Sequence, residues 1–169
     1  MKSIRFFCHL WLICTCLFFI SQAQGQSKKY DIALSDLPQE VKTVLETYIH
    51  ILKNSADLES CAKEFVKIAG GGLVDERGKT LRETVMPYSL KKDFTNVKFY
   101  ASPLQISRVN CNPMPVTSGF GESAIQGKIY KIWLDKAPGE VGYPAPISII
   151  VPEGHPEINT PKVVGIGSL

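Results

Sequence analysis

The apolar positions change period along the chain, and that change divides it into a helical first half and a strand-rich second half. Leu37, Val41, Val44, Leu45, Tyr48, Ile51 and Leu52 recur at three- and four-residue spacing, the stripe of an amphipathic helix. Asp36 can cap its start, Pro38 suits a first turn, Gln39 stands three residues after the cap, and Asn54-Ser55 ends it. A second stripe, Leu58, Cys61, Ala62, Phe65 and Ile68, follows the N-cap residue Asp57 and stops at Gly70-Gly71-Gly72. LVDERGKTLRE then predicts a small hairpin turning at Glu76-Arg77-Gly78. A short third helix is expected over residues 88–94, with Pro87 at its start and Leu90, Phe94 and Val97 facing inward.

From Val97 onward the period drops to two. Val97, Phe99 and Ala101 alternate on one parity, while Leu104 and Ile106 take the other. Ser102-Pro103 separates the sets, which predicts a strand over 97–109 with a bulge or kink at that dipeptide. NPMPVTSGFGES reads as a loop by composition. Residues 124–169 give three strands, AIQGKIYKIWLD, APISIIV and KVVGIGSL, separated by the turns APGEVGYP and PEGHPEINTP. Runs rich in Ile, Val, Tyr and Trp between Pro, Gly, Asn and Asp predict an antiparallel meander. The fold class is therefore α+β, with the helices covering one face of the sheet.

Composition adds limits rather than chemistry. The chain has 169 residues, 44% hydrophobic and 21% charged, enough for one core. Its net charge of +3 includes Lys2 and Arg5, so the remainder is nearly neutral and shows no basic face for nucleic acid. Those two residues precede FFCHLWLICTCLFFI and then Ser21-Gln22-Ala23, the layout of a secretory signal cleaved after Ala23. The apolar run is shorter than the ~20 residues of a spanning helix. The expectation is a signal peptide at 1–23, a mobile mature N-terminus at 24–35, and one domain at 36–169. The location is then periplasmic or extracellular, with no stable membrane span after cleavage. Cleavage leaves two cysteines, Cys61 and Cys111, with two readings open: a disulfide between them, or two buried thiols.

Helix, helix, small hairpin, short helix and then long strands resembles the cystatin-like cone of the nuclear transport factor 2-like superfamily, which includes polyketide cyclases and ketosteroid isomerases. The resemblance covers residues 36–169. CAKEFVKIAGGGLVD and the ending IYKIWLDKAPGE, APISIIVPEG and PKVVGIGSL carry it most strongly. It implies a strongly curved sheet around the helices, a pocket at the open end, and dimers formed sheet to sheet. The same pocket serves enzymes, ligand binders and docking modules, so the fold does not choose among them.

Proton-transfer catalysis in such a pocket would need a carboxylate base. Asp93 is the weak candidate, with Asp135 beside it, yet both read as residues at element ends facing water. His50 falls off the first apolar stripe, and His155 sits in the turn PEGHPE. Arg108 shares parity with Leu104 and Ile106, so it is expected to point into the cone and to meet an internal carboxylate or a bound anion. Tyr48, Tyr130 and Trp133 would line the same pocket. GGGLVDERGKT lacks the glycine spacing of a phosphate loop, and Glu153, His155 and Glu157 make only a turn, so no metal or cofactor is expected. The leading expectation is an exported module that binds a small apolar or anionic ligand or docks a partner. An isomerase, cyclase or hydratase is the alternative, and a structural envelope protein the third.

Overall fold

Two helices stand where the apolar stripes put them. The computed structural model describes residues 30–142, 146–167 and 169. The chain divides into Met1–Asp31, of which Tyr30 and Asp31 are described, and a compact unit, Ile32–Leu169. The proposed leader and residues 24–29 lie outside the described residues. A two-residue strand, β1 (Asp31–Ile32), and a tight turn, Leu34–Asp36, occupy the part of the expected mobile N-terminus that is described.

Helix α1 (Gln39–Asn54) follows Pro38, whose fixed φ leads into the first turn; Asp36 belongs to the preceding turn and does not cap it. Its inner face buries Val41, Leu45, Tyr48, Ile49 and Leu52. Helix α2 (Leu58–Phe65) is capped by Asp57, whose carboxylate accepts from the Ser60 amide at 2.7 Å. That bond holds the Asp57 carboxyl below its ordinary pKa. Beyond α2 the chain makes one more turn over residues 66–68, bridges to Val163 of the sheet at Ala69, and turns again at Gly71, whose φ of +57° suits glycine.

The expected hairpin at 73–83 does not form. Gly78 closes a turn on Asp75, the Asp75 side chain accepts from the Thr80 amide, and a helical stretch begins at once. Its first part, Leu81–Leu90, has wide π-type turns, and Pro87 lies inside it, where a tight α-helical ladder would need an N–H that proline lacks. It continues as α3 (Lys91–Asn96) and ends in a tighter turn, Val97–Phe99. The expected strand over 97–109 is thus helical at its start, and only β2 (Ile106–Cys111) is strand. Ser102-Pro103 is a cis peptide in the connection. The expected loop at 112–123 contains a short strand, β3 (Val116–Ser118).

Strands β4 (Ile125–Leu134), β5 (Ile147–Pro152) and β6 (Lys162–Gly165) form the expected meander. The sheet order is β1-β2-β4-β5-β6, with β3 also pairing β4, and it does not close on itself. The ladders from β2 to β6 are antiparallel. One face carries Val109, Ile132, Leu134, Ile147, Ile149 and Val163 into a single core with the inner faces of α1 and α2. Each fully enclosed Ile or Leu there contributes about 1.5–3 kcal/mol, so shared burial rather than local propensity fixes how the layers stack. On the far edge of β6, the Gly70 amide donates to the Val163 carbonyl and the Val163 amide donates to that of Ile68, both at 2.9 Å. Among the described residues, no helix is long and apolar enough to cross a membrane.

Candidate functional site

Polar chemistry in this fold concentrates where α3 meets the inner side of α1. Asp93 is fully buried, the one buried charged side chain among the described residues. This overturns the expectation that it faces water. Its Oδ2 accepts from the Tyr48 hydroxyl at 2.7 Å and from the Gly167 amide at 2.9 Å; its Oδ1 accepts from the Leu169 amide at 2.9 Å. Such bonds replace the water a carboxylate loses on burial. The neighbours of Asp93 on α3 bind the same segment. Lys92 Nζ donates to the Gly167 carbonyl and Asn96 Nδ2 to that of Leu169, each at 3.0 Å. Helix α3 therefore reads the backbone of the chain after β6 through two carbonyls and two amides.

Tyr48 is buried to nothing exposed and stacks obliquely on Phe65, with ring centroids 5.4 Å apart. Burial, then the Asp93 charge and its hydrogen bond, push the Tyr48 phenol well above its ordinary pKa. Tyr48 is thus a structural donor inside the core and lines no open pocket.

Tyr100 is the residue that sequence reasoning missed. It is 3% exposed, and its hydroxyl is buried without a hydrogen-bond partner among the described residues. Burial, followed by the charge of Asp93, raises its pKa, so at neutral pH it keeps its proton and remains a donor. Two crevices flank it. One, of about 350 Å³, is walled by Asn96, Phe99, Lys136, Val141 and Leu169. The other, of about 490 Å³, is walled by Leu52, Ser55, Phe94, Val97 and Lys98. The Lys136 ammonium stands 5.8 Å from the Tyr100 ring centroid and donates to the Val141 carbonyl at 2.7 Å. No pattern in the sequence marks Tyr100, because its neighbours Lys136, Val141 and Leu169 arrive from loops and the end of the sheet.

The remaining candidates go elsewhere. Arg108 does not join the helix-facing side. In β2, Ile106 pairs with Leu134 while Arg108 pairs with Trp133, so Ser107 is an extra residue opposite no partner. This bulge reverses the alternation. Ile106 packs on the core, and Arg108 shares the opposite face with Trp133, its guanidinium carbon 4.6 Å from the ring centroid. Trp133 also alternates with the buried Ile132 and Leu134 and so leaves the core face. Tyr130 does pack against the core, beside Cys111, its register partner. The four expected pocket residues, Tyr48, Arg108, Tyr130 and Trp133, are therefore not brought together.

Cys61 and Cys111 are separate free thiols, one buried on α2 and the other half-buried on β2. Burial raises both pKa values. His50 is exposed on α1. His155 Nδ1 accepts from the amides of Glu157 and Ile158 at 3.1 and 2.9 Å, a turn-closing role. Asp135 is half-buried just beyond β4, where its backbone bonds to Gln105 and Ala101. Among the described residues, no cluster of His, Cys, Asp or Glu is arranged to hold a metal ion.

Compared with protein-family models, with curated proteins and with solved structures, the chain matches none.

Proposed function

We propose that this chain is an exported, non-enzymatic module that binds a small ligand in the crevices beside Tyr100. The observation that carries the reading is the Tyr100 hydroxyl, buried and without a partner. An unmet buried donor costs about 1–3 kcal/mol, and an acceptor brought by a ligand would relieve it. The crevice on the Lys136 side is mainly polar, with Lys92, Asn96, Lys136 and Glu140 set beside Phe99, Val141 and Leu169, so a ligand there would be held chiefly by polar contacts.

The enzyme alternative has less support. Its carboxylate, Asp93, spends its hydrogen bonds on Tyr48, Gly167 and Leu169 and reaches no solvent. A general base must reach the proton it removes. The nuclear transport factor 2-like assignment, with its curved cone, belongs to the same proposal. It is supported by two helices, a third helical stretch and an antiparallel meander in that order, with the helices on one face. Export is supported by the n-region, apolar run and small-x-small site of residues 1–23.

Native mass spectrometry of the protein purified from its exported compartment tests the reading, with Tyr100→Phe run in parallel. A reproducible adduct that is lost on denaturation and depleted in Tyr100→Phe is the expected result. A bare mass for both forms, with no change in thermal midpoint across a small-molecule panel, would overturn it.

A further inference from the structure

The walls around Tyr100 are unusually one-sided in charge. The two crevices that flank it, and a third of about 510 Å³ that adjoins the Lys136-side one at Lys92 and Asn96, carry Lys53, Lys91, Lys92, Lys98 and Lys136. Among the described residues, the acidic side chain on these walls is Glu140 alone. None of the five lysines is in an ion pair within the described residues. Lys92 and Lys136 are instead steadied by backbone carbonyls, of Gly167 and Val141, which fix the ammonium groups without neutralising them. Lys98 lies 5.0 Å from the Phe99 ring centroid, again leaving its charge uncompensated. For a chain whose net charge is only +3, four such cations on the walls of the two crevices beside one buried phenol is a local concentration.

We infer, resting on the ligand-binding reading above, that the crevice walled by Tyr100, Lys92, Lys136 and Asn96 takes a small organic oxyanion. The oxyanion accepts from the Tyr100 hydroxyl and the lysine ammonium groups, while an apolar body lies against Phe99 and Val141. An oxyanion suits the phenol and the two lysine ammonium groups of this crevice, which all donate and outnumber the one acidic side chain on the wall, Glu140. A cationic ligand would face the like charges of Lys92 and Lys136, and a neutral one would gain nothing from them. Attraction from lysines this exposed is screened by salt, so affinity should fall as ionic strength rises. A carboxylate and a phosphate ester share this chemistry, and the test separates them.

The test is a chemical-shift titration of the full protein with benzoate and phenyl phosphate, each beside a neutral isostere, benzamide or benzyl alcohol. The expected result is perturbation of the Tyr100, Lys136 and Leu169 amides by an anion, about tenfold tighter than by its neutral partner. It should weaken in added salt and in Lys92→Gln/Lys136→Gln, whose thermal midpoint stays near the parent. Preference between benzoate and phenyl phosphate assigns the class. If the neutral isosteres bind the crevice equally well, the ligand reading stands and the oxyanion inference falls. If neither anion perturbs the crevice at millimolar concentration, the oxyanion inference is also overturned, and the native mass spectrum then decides separately whether any ligand binds.

Discussion

The Tyr48 hydroxyl donates to Asp93 Oδ2 at 2.7 Å across 45 residues of sequence, joining α1 to α3 inside the core. The Gly167 and Leu169 amides also donate to this carboxylate, so one side chain ties two helices to the end of the sheet. Hydrogen bonds to a charged group each contribute about 1.5–3 kcal/mol. Tyr48→Phe should therefore cost about 1–3 kcal/mol, and Asp93→Ala about 3 kcal/mol or more. Asp93→Asn should be nearly as harmful, because an amide NH₂ would face an N–H. Urea unfolding of the single and double variants would show coupling between the two positions. Faster hydrogen exchange at Gly167 and Leu169 in the Asp93 variants would locate the loss. Independent, additive costs would contradict this account.

The same pair sets a response to alkali. The Tyr48 phenol has a folded pKa raised above the ordinary 10.0. Below that value both states hold the proton, and the contribution is fully present. Above it the unfolded chain releases the proton first, so stability declines as pH climbs toward the folded value. Urea midpoints followed from about pH 9 to 11 should fall more steeply in the parent than in Tyr48→Phe. Tyr100 and Tyr130, also raised, are present in both forms and cancel. Equal slopes would show that Tyr48 carries no excess proton.

Tyr100→Phe should behave in the opposite sense to Tyr48→Phe. Removing a hydroxyl that has no partner abolishes an unmet donor and keeps the ring in place, so the ligand-free protein should be unchanged or more stable by up to about 1–3 kcal/mol. A thermal midpoint that rises or holds is the expected reading. A loss of more than about 1 kcal/mol would mean that the hydroxyl is bonded in the ligand-free fold.

Deleting Ser107 offers a test of the sheet's register. Ile106 and Arg108 pair with the consecutive residues Leu134 and Trp133, so removing the residue between them leaves both on their present faces. The deletion should cost less than about 1 kcal/mol, whereas deleting the buried Val109 should cost several, because it slips the ladder by one and turns core residues outward. Thermal melts of the two deletions, compared side by side, check it. Comparable damage from both would argue against the bulge.

The stripes of α1 and α2 and the three strands of the meander were legible because each repeats a burial period over many residues. Asp93 was not. KKDFTN has the composition of a solvated helix turn, and only partners 45 to 76 residues away in sequence make its carboxylate an interior group. Arg108 was misplaced by a single uncounted residue: a bulge has no compositional mark at Ser107, unlike the Pro103 that drew attention to the wrong position. The hairpin expected at Gly78 failed for a related reason. Gly78 does turn the chain, but a turn residue does not say whether strand or helix follows, and Thr80 bonded to Asp75 begins a helix. The crevice on the Lys136 side of Tyr100 is walled by residues from α3, the turn after it, the loop after β4 and the chain beyond β6, a gathering that no local pattern encodes.

The pairing of residues 68–70 along β6 bears on how the protein behaves in a crowd of its own copies. An exposed strand edge is a row of unmet donors and acceptors on which another chain can grow, the usual start of fibrillar association. Here the exit of α2 already occupies part of that row, through the Gly70 and Val163 amides. A Cβ on Gly70 would meet Ile125 Cδ1 at 2.8 Å and Lys162 Cβ at 2.9 Å, so a bulkier residue would lift this cover from the edge. The glycine run that ends a helix thereby also keeps the meander from serving as a template for its neighbours.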